Sequence, residues 1–413
     1  MAEKSELKIQ TTNLRKYFSL IFNKRKTNDT CNEKYNNKNT YYENNPNKNK
    51  DKKRNPGVDL VRILGMWCII IHHILYHSRV IYKYNYKILT FINISSFWHV
   101  NSFALISGIV GYNTNKYSNL IYLWFCVVTY QFGIHYLYRL KNKNINPKFT
   151  YDFFPVAFIK YWYFTKYFGM YLFVPIINRG IAYISKNRIK LILFSFYSIY
   201  IIWNDYINPV VDLFNLDRGY SINWFAISYI TGAYIGKYEN NYIGKRKFIF
   251  YLILFSIYIF SSCICYKMYY YEINSMSNNL KKKIIIALKS LFAPRINSIP
   301  MILQSISIIL LLMNINYNKY IGKIICFFGP LTFGVYLIHE HELIRSTFIK
   351  NLFSKDSNQL KQNTVVILVF IRSIFIFFIC SFIDYLRYII FHYILRIKKI
   401  CIFLEKNMLK LFD

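Results

Sequence analysis

The sequence predicts an all-α protein, a polytopic integral membrane helical bundle of about ten transmembrane helices. Three observations predict it. The chain has 413 residues, of which 54% are hydrophobic, more than the core of a soluble protein requires. The apolar residues form long runs that approach the roughly 20 residues needed to cross a bilayer. The basic residues collect at the N-terminus and in short links between these runs, as is typical of membrane proteins.

Three segments follow from this pattern. Residues 1–56 are dense in Asn and Lys, which predicts a disordered, basic cytoplasmic tail. Residues 57–396 form one membrane domain, and residues 397–413 form a second basic cytoplasmic tail. No cleavage site precedes the first apolar run, so we expect that run to remain in the mature protein.

The first apolar run is Gly57–His77, and nine more are predicted as helices, several of them short. The later runs are Ser96–Tyr112, Asn119–Tyr138, Tyr167–Ile184, Lys190–Trp203, Ile222–Gly236, Phe248–Met268, Ile299–Ile315, Ile321–Glu340 and Thr364–Leu395.

The net charge of +34 could indicate a nucleic-acid-binding protein. The lysines and arginines flank apolar runs, however, which is the arrangement of cytoplasmic membrane loops. We therefore expect contacts with the lipid bilayer and no nucleic-acid partner. The basic links 185–190 and 236–247 favour a cytoplasmic N-terminus, whereas the basic links 138–148 and 281–295 oppose it.

The first run carries an arginine and a histidine that share one face of the predicted helix. His73 follows Arg62 by eleven positions (73 − 62), or about three turns at about 100° per residue. Ionisable groups are costly inside a bilayer and therefore indicate a functional site. In the alternative, Arg62 only marks the membrane boundary and His73 packs. His77 shares the face of His73 and is a possible partner, whereas His72 lies about 100° away.

Two later segments contain further candidates. In HVNSFALISGIVGY, Ser107 and Gly108 permit the close approach of a helix or a ligand. The segment FGVYLIHEHELIR contains the titratable residues His339, Glu340 and His341, which form either an exposed helix end or part of a site. The two histidines point about 200° apart on a helix, so we expect no metal site.

These motifs together resemble the acyltransferase family 3 of integral membrane O-acyltransferases. The matching segments occur in family order, and the resemblance covers most of the chain. They are RILGMWCIIIHH, FALISG, KYWYFTKYFGMYLFVPIIN, INWFAISYITGAYIGKY and FGVYLIHEHELIR. The chain is most similar to members that act on cell-surface polysaccharides and lack a fused esterase-like domain. Two residues depart from the family pattern: Ile109, where an aromatic often follows Ser-Gly, and Glu340, where Asp or Asn is commoner.

The resemblance implies transfer of an acyl group, acetyl in the simplest case, from acyl-CoA to a hydroxyl of a surface polysaccharide or other glycan. It implies that Arg62 and His73 act in catalysis and that Ser107 and Gly108 lie on the donor side. A histidine can serve as the general base for a hydroxyl, and the planar fork of Arg62 suits the donor phosphates. Acyl-CoA is then a co-substrate, and we expect no bound cofactor.

With a cytoplasmic N-terminus, His339, Glu340 and His341 lie on the outer, acceptor side. Two other functions remain open at this point. A transporter or flippase for lipid-linked sugars or acyl groups would use Arg62 and His73 to line its pathway. A membrane sensor would use the histidines to respond to pH. The sequence shows no matched pair of broken segments in its two halves, which argues against a transporter.

Overall fold

The structure, a computed structural model, describes residues 54–141, 149–207, 212, 214–238, 247–270, 288 and 291–411. All regular structure within these ranges is helical, so the predicted all-α class is confirmed. The predicted disordered tail lies outside the described residues up to residue 53. Parts of the basic links 138–148, 236–247 and 281–295 also lie outside them.

We number the α-helices in chain order. They are α1 Pro56–His77, α2 Val80–Tyr84, α3 Lys87–Ser96, α4 His99–Gly111, α5 Ser118–Lys141, α6 Phe149–Phe153, α7 Trp162–Leu172, α8 Val174–Tyr183, α9 Lys186–Tyr197, α10 Ile222–Tyr238, α11 Lys247–Tyr270, α12 Ile299–Met313, α13 Lys319–Phe328, α14 Thr332–His339, α15 Glu342–Ile344, α16 Gln362–Ile389 and α17 Ile397–Lys410. Wider, π-type turns extend α9 over Ser198–Ile207, follow α15 over Arg345–Ile349 and extend α16 over Ile390–Ile394.

Five stretches among the described residues are long and apolar enough to cross a membrane, so the predicted count of about ten spans is not confirmed. Every predicted apolar run is helical, but several helices are too short. Helix α4 has 13 residues and α12 has 15. The run predicted at Tyr167–Ile184 is divided between α7 and α8 at Phe173. The five spans are Pro56–His77, Ser118–Lys141, Phe248–Tyr270, Lys319–His339 and Gln362–Ile394.

Helix α1 occupies the centre of the bundle. Its start is fixed locally, because the side chain of Asn55 accepts a hydrogen bond from the Gly57 amide and Pro56 supplies the first helical residue. Its middle is apolar and fully buried at Ile70 and Ile74. Helices from both halves of the chain pack around it, and these are α3, α4, α12, α13, α14 and α16. Side chains on α1 therefore face residues that are distant in sequence.

Helices α4 and α10 pack backbone to backbone. A Cβ atom at Gly108 would overlap the Tyr229 carbonyl, and one at Gly232 would overlap the Leu105 carbonyl. The small residues of α4 thus serve helix packing, one of the two roles predicted for them.

The predicted C-terminal tail contains a helix. Helix α17 packs against α5, and Glu405 accepts a hydrogen bond of 2.6 Å from the amide of Tyr117. Residues 397–410 are therefore attached to the bundle.

Candidate active site

His73 contacts two residues from the end of α14. Its Nδ1 atom lies 3.0 Å from Nε2 of His339 and 3.0 Å from Oε2 of Glu340. The other carboxylate oxygen of Glu340 accepts a hydrogen bond of 2.6 Å from Arg345. Only 11% of the His73 side chain and 6% of the Glu340 side chain are exposed. A buried histidine–carboxylate pair therefore joins the first helix to a segment more than 250 residues later.

The contacts of His339 decide which nitrogen of His73 carries a proton. Nδ1 of His339 lies 2.6 Å from the Val335 carbonyl, which can only accept, so Nδ1 donates. In the neutral ring, Nε2 of His339 is then an acceptor. Nδ1 of His73 thus faces two acceptors, this nitrogen and the Glu340 carboxylate, and it must donate. The lone pair of His73 is consequently on Nε2.

The chain changes direction at Glu340, which allows this contact. Helix α14 ends at His339, and His341 caps the short helix α15. The exposed-end interpretation of this segment is wrong, because His339, Glu340 and His341 are 1%, 5% and 0% exposed. Burial favours the neutral form of Glu340, but its His73, His77 and Arg345 neighbours outweigh burial and hold the pKa of its carboxyl below the usual range.

The same cluster offers a candidate cation site. His73, His77 and Glu340 have ligand atoms within 4.8 Å of one another. Nε2 of His77 lies 3.5 Å from Oε2 of Glu340, and neither atom has a hydrogen-bond partner of acceptable geometry in the described structure. Two histidines and a glutamate are a ligand set of catalytic zinc sites. The prediction of no metal site was based on the spacing of His339 and His341 alone. His77 and Glu340 were not included in it as ligands.

His341 turns away from His73. Its Nδ1 accepts a hydrogen bond from the Leu343 amide at 3.2 Å, and its Nε2 lies 2.9 Å from the side-chain oxygen of Gln131. Burial lowers the pKa of His341 to about 3. With both ring nitrogens bonded to the protein, His341 holds the α14–α15 junction against α5.

A second polar cluster adjoins His341 and was not predicted. His135 lies 3.1 Å from Glu342 and 2.9 Å from Asp152, and Lys160 lies 3.1 Å from Glu342. Burial raises the pKa of Asp152. The His135 hydrogen bond, more than the nearby Lys160, lowers the pKa of Glu342 to about 2. These residues come from four separate segments, so sequence spacing gave no signal.

Arg62 is paired at the other end of α1. It donates a hydrogen bond of 2.6 Å to Asp59, which is fully buried and also pairs with Arg54. A side chain at Gly329 would collide with Asp59. Asp59 was not predicted as a site residue, although an acidic residue three positions before Arg62 in an apolar run indicates an ion pair. The Arg62 side chain is 26% exposed, and two arginines share one carboxylate, so this end keeps a net positive charge.

Ser107 faces a tyrosine on the same side of the bundle. Its hydroxyl donates to the Phe103 carbonyl at 2.9 Å and lies 3.1 Å from the Tyr167 hydroxyl. A Cβ atom at Gly65, one turn after Arg62, would lie 3.4 Å from the ring of Phe103, one turn before Ser107, so these stretches of α1 and α4 are neighbours. Gly108 lies against α10 and is occupied in packing. The predicted residues thus separate into an Arg62–Ser107 region and a His73–Glu340 region.

The fold and site define a polytopic membrane protein with a buried histidine–carboxylate pair. A family model described as an acyltransferase domain matches residues 55–385, a range that contains both regions. The chain belongs to this acyltransferase 3 family and is a membrane acyltransferase, as the sequence motifs predicted. No curated protein and no solved structure shows a significant match.

Proposed function

We propose that the protein transfers an acetyl group from acetyl-CoA to a hydroxyl of a glycan, with His73 as the general base. One observation carries this proposal. Because Nδ1 of His73 donates to His339 and lies 3.0 Å from the Glu340 carboxylate, Nε2 holds the lone pair that can accept a proton. A histidine with this orientation suits a reaction that takes a proton and returns it.

The proposed reaction requires only the two substrates and His73. Nε2 of His73 takes the proton of the acceptor hydroxyl while its oxygen attacks the thioester carbonyl carbon. The carbon–sulfur bond of the tetrahedral intermediate then breaks, and the imidazolium returns the proton to the CoA thiolate. Acetyl ester and free CoA leave. Transfer is direct, and the protein forms no covalent acyl intermediate.

Glu340 is the positioning residue for this base. Its carboxylate lies 3.0 Å from Nδ1 of His73, so its charge favours the Nδ1–H tautomer and stabilises the imidazolium while the proton is on Nε2. Arg345 fixes the carboxylate at 2.6 Å, and Nε2 of His339 accepts from the same Nδ1 of His73 at 3.0 Å. The sequence analysis placed His339 and Glu340 on the acceptor side; we propose instead that both act through His73. His341 is left out of this assignment because both its nitrogens bond to the protein.

The donor phosphates bind at the other end of α1. Arg62 and Arg54 supply two cations against one Asp59 carboxylate, and the hydroxyl of Ser107, on the neighbouring helix α4, bonds to that of Tyr167. Arg62 and His73 are separated by about 16 Å along the helix at about 1.5 Å per residue, which the extended pantetheine arm bridges. With a cytoplasmic N-terminus, the donor enters from the cytoplasm and the glycan from the opposite side.

The test uses the purified full chain in lipid vesicles with acetyl-CoA. We expect free CoA thiol to appear only when a glycan acceptor is added, and the acetyl ester to be recovered on the glycan. Acetyl-CoA-independent movement of glycan across the vesicle would instead support the flippase alternative. A parallel assay in EDTA separates the two interpretations of the cluster. Loss of activity that Zn²⁺ restores would assign His73, His77 and Glu340 to a cation and overturn the general-base proposal.

A further inference from the structure

A basic pocket lies beside the end of α1 that carries His77. Its volume is about 380 Å³, and it opens to the surface. Three cationic side chains line it, those of Arg79, Lys83 and Lys350, and no carboxylate is among its described lining residues. The pocket is within the size range of small-molecule sites, about 300–1,000 Å³. Its charge therefore selects for an anion.

The positive charges of this pocket are not neutralised by neighbouring acids. Arg79 and Lys350 are exposed, and neither pairs with a carboxylate in the described part of the chain. Lys83 donates to the backbone carbonyls of Phe353 and Asp356 at 2.9 and 2.8 Å. The nearby carboxylate of Asp356 is taken by Arg372 at 2.6 Å. Arg79 and Lys350 are thus available to a ligand, whereas Lys83 is held by backbone carbonyls and contributes its charge.

The pocket is built on the same two elements as the catalytic cluster. The hydroxyl of Ser78 lines it and donates to the Ile349 carbonyl at 2.6 Å. This bond joins the end of α1, which carries His77, to the turn that begins with Arg345. The carbonyls of Ile74 and Tyr76, in the last turn of α1, accept hydrogen bonds from the amides of Ser78 and Arg79. These bonds reduce the negative potential at the end of the helix.

We propose that this pocket binds the acidic group of the acceptor, so that the natural acceptor is a carboxylate-bearing glycan. This inference rests on the proposed function and specifies its substrate class. Arg79 and Lys350 pair with the carboxylate, because charge-assisted hydrogen bonds to carboxylates are stronger than neutral ones. The ring of Tyr82, which is 68% exposed, supports the apolar face of the sugar. The sugar next to the bound one is then the residue presented to His73.

Binding of defined oligosaccharides tests the proposal without requiring turnover. The full chain is placed in nanodiscs of phosphatidylcholine alone and titrated calorimetrically with a galacturonate oligomer and with a galactose oligomer of equal length. We expect the acidic oligomer to bind at least about tenfold more tightly. The preference should decrease with added salt, because it is electrostatic. Arg79→Glu combined with Lys350→Glu should abolish it.

A matched variant controls for overall charge. Lys87→Glu combined with Lys361→Glu reverses two exposed lysines outside the pocket and should keep the preference. His73→Ala should also keep it, so failure of the catalytic proposal and failure of this one are distinguishable.

Equal affinity for both oligomers, or equal loss in both double variants, overturns the proposal. The proposal is also overturned if the pocket residues are needed for association with phosphatidylserine nanodiscs and the protein shows no preference between the two oligomers. That result would assign the pocket to lipid headgroups. If the pocket variant fails to fold, the milder pair Arg79→Gln and Lys350→Gln replaces it and should likewise abolish the preference.

Discussion

Nδ1 of His73 and Oε2 of Glu340 lie 3.0 Å apart, although the two residues belong to opposite halves of the chain. Together with the hydrogen bond to His339, this pair gives the first helix of the bundle a base with a defined tautomer. The same contact ties catalysis to the turn after α14, because Glu340 is positioned by the break in the helix there. Predictions about the reaction therefore concern both ends of this contact.

His73→Ala should abolish acetyl transfer while leaving the protein level in the membrane unchanged. A general base contributes about 10²–10⁴-fold to the rate, and a loss of this size is expected in CoA-release assays. The matched control is His72→Ala. His72 bonds to Asn93 and does not contact Glu340, so its loss should change the rate much less. Wild-type activity in His73→Ala would refute the assignment.

Glu340→Gln should lower kcat and leave the KM values for both substrates nearly unchanged. The amide cannot stabilise the imidazolium, and it can present a donor to Nδ1 of His73, which favours the unproductive tautomer. The loss should reach about 10²-fold or more in steady-state kinetics. A raised acceptor KM with normal kcat would instead show that Glu340 contacts the sugar directly.

Arg62→Lys should raise the KM for acetyl-CoA with little effect on the acceptor KM. An ammonium group keeps the charge but cannot form the bidentate contact that a guanidinium makes with phosphate oxygens. Steady-state kinetics with each substrate varied in turn separates the two constants. A defect restricted to the acceptor would place Arg62 away from the donor.

Glu342→Gln should destabilise the protein in a pH-dependent manner. The His135 hydrogen bond, with Lys160, lowers the pKa of Glu342 from 4.5 to about 2, so the folded state binds fewer protons than the unfolded state between these values. The carboxylate thus stabilises the fold fully above pH 4.5, and this contribution is lost as the pH falls toward 2. Thermal unfolding in detergent should show a lower midpoint for the variant at pH 7 and a shrinking difference below pH 4.5. Asp217→Asn alters an exposed carboxylate outside the cluster and should show no such trend.

The orientation of the bundle can be tested with a cysteine in the link before α16. Asn358 is exposed, whereas Asp356 in the same link pairs with Arg372 and is unsuitable. With a cytoplasmic N-terminus, Asn358→Cys should react with an impermeant maleimide only from the non-cytoplasmic side. The unaltered chain is the control, because Cys263 is also exposed. Labelling from the cytoplasm alone would contradict the two-sided arrangement of donor and acceptor.

The helices and the positions of Arg62 and His73 could be predicted because both depend on local sequence. Apolar runs become helices whatever surrounds them, since the backbone must satisfy its own hydrogen bonds in a membrane. The predicted number of spans is not confirmed, because helices such as α4 and α12, with 13 and 15 residues, are shorter than the roughly 20 residues that cross a bilayer.

The partners of the predicted residues were less accessible to sequence analysis. His339 and Glu340 were recognised as candidates, but their contact with His73 requires a break after α14 that no glycine or proline marks. The cluster of His135, Asp152 and Glu342 arises only from the packing of separate segments. Asp59 was within reach, because helical spacing alone places it beside Arg62.

The shared carboxylate of Asp59 has a consequence for interpreting arginine variants. Removing Arg54 alone leaves Asp59 neutralised by Arg62, and removing Arg62 alone leaves it neutralised by Arg54. Single substitutions will therefore understate the contribution of each cation to folding, while loss of both will leave a fully buried anion without compensation. The two free-energy changes should not add, and a double-mutant cycle across Arg54 and Arg62 should give a coupling larger than either single effect.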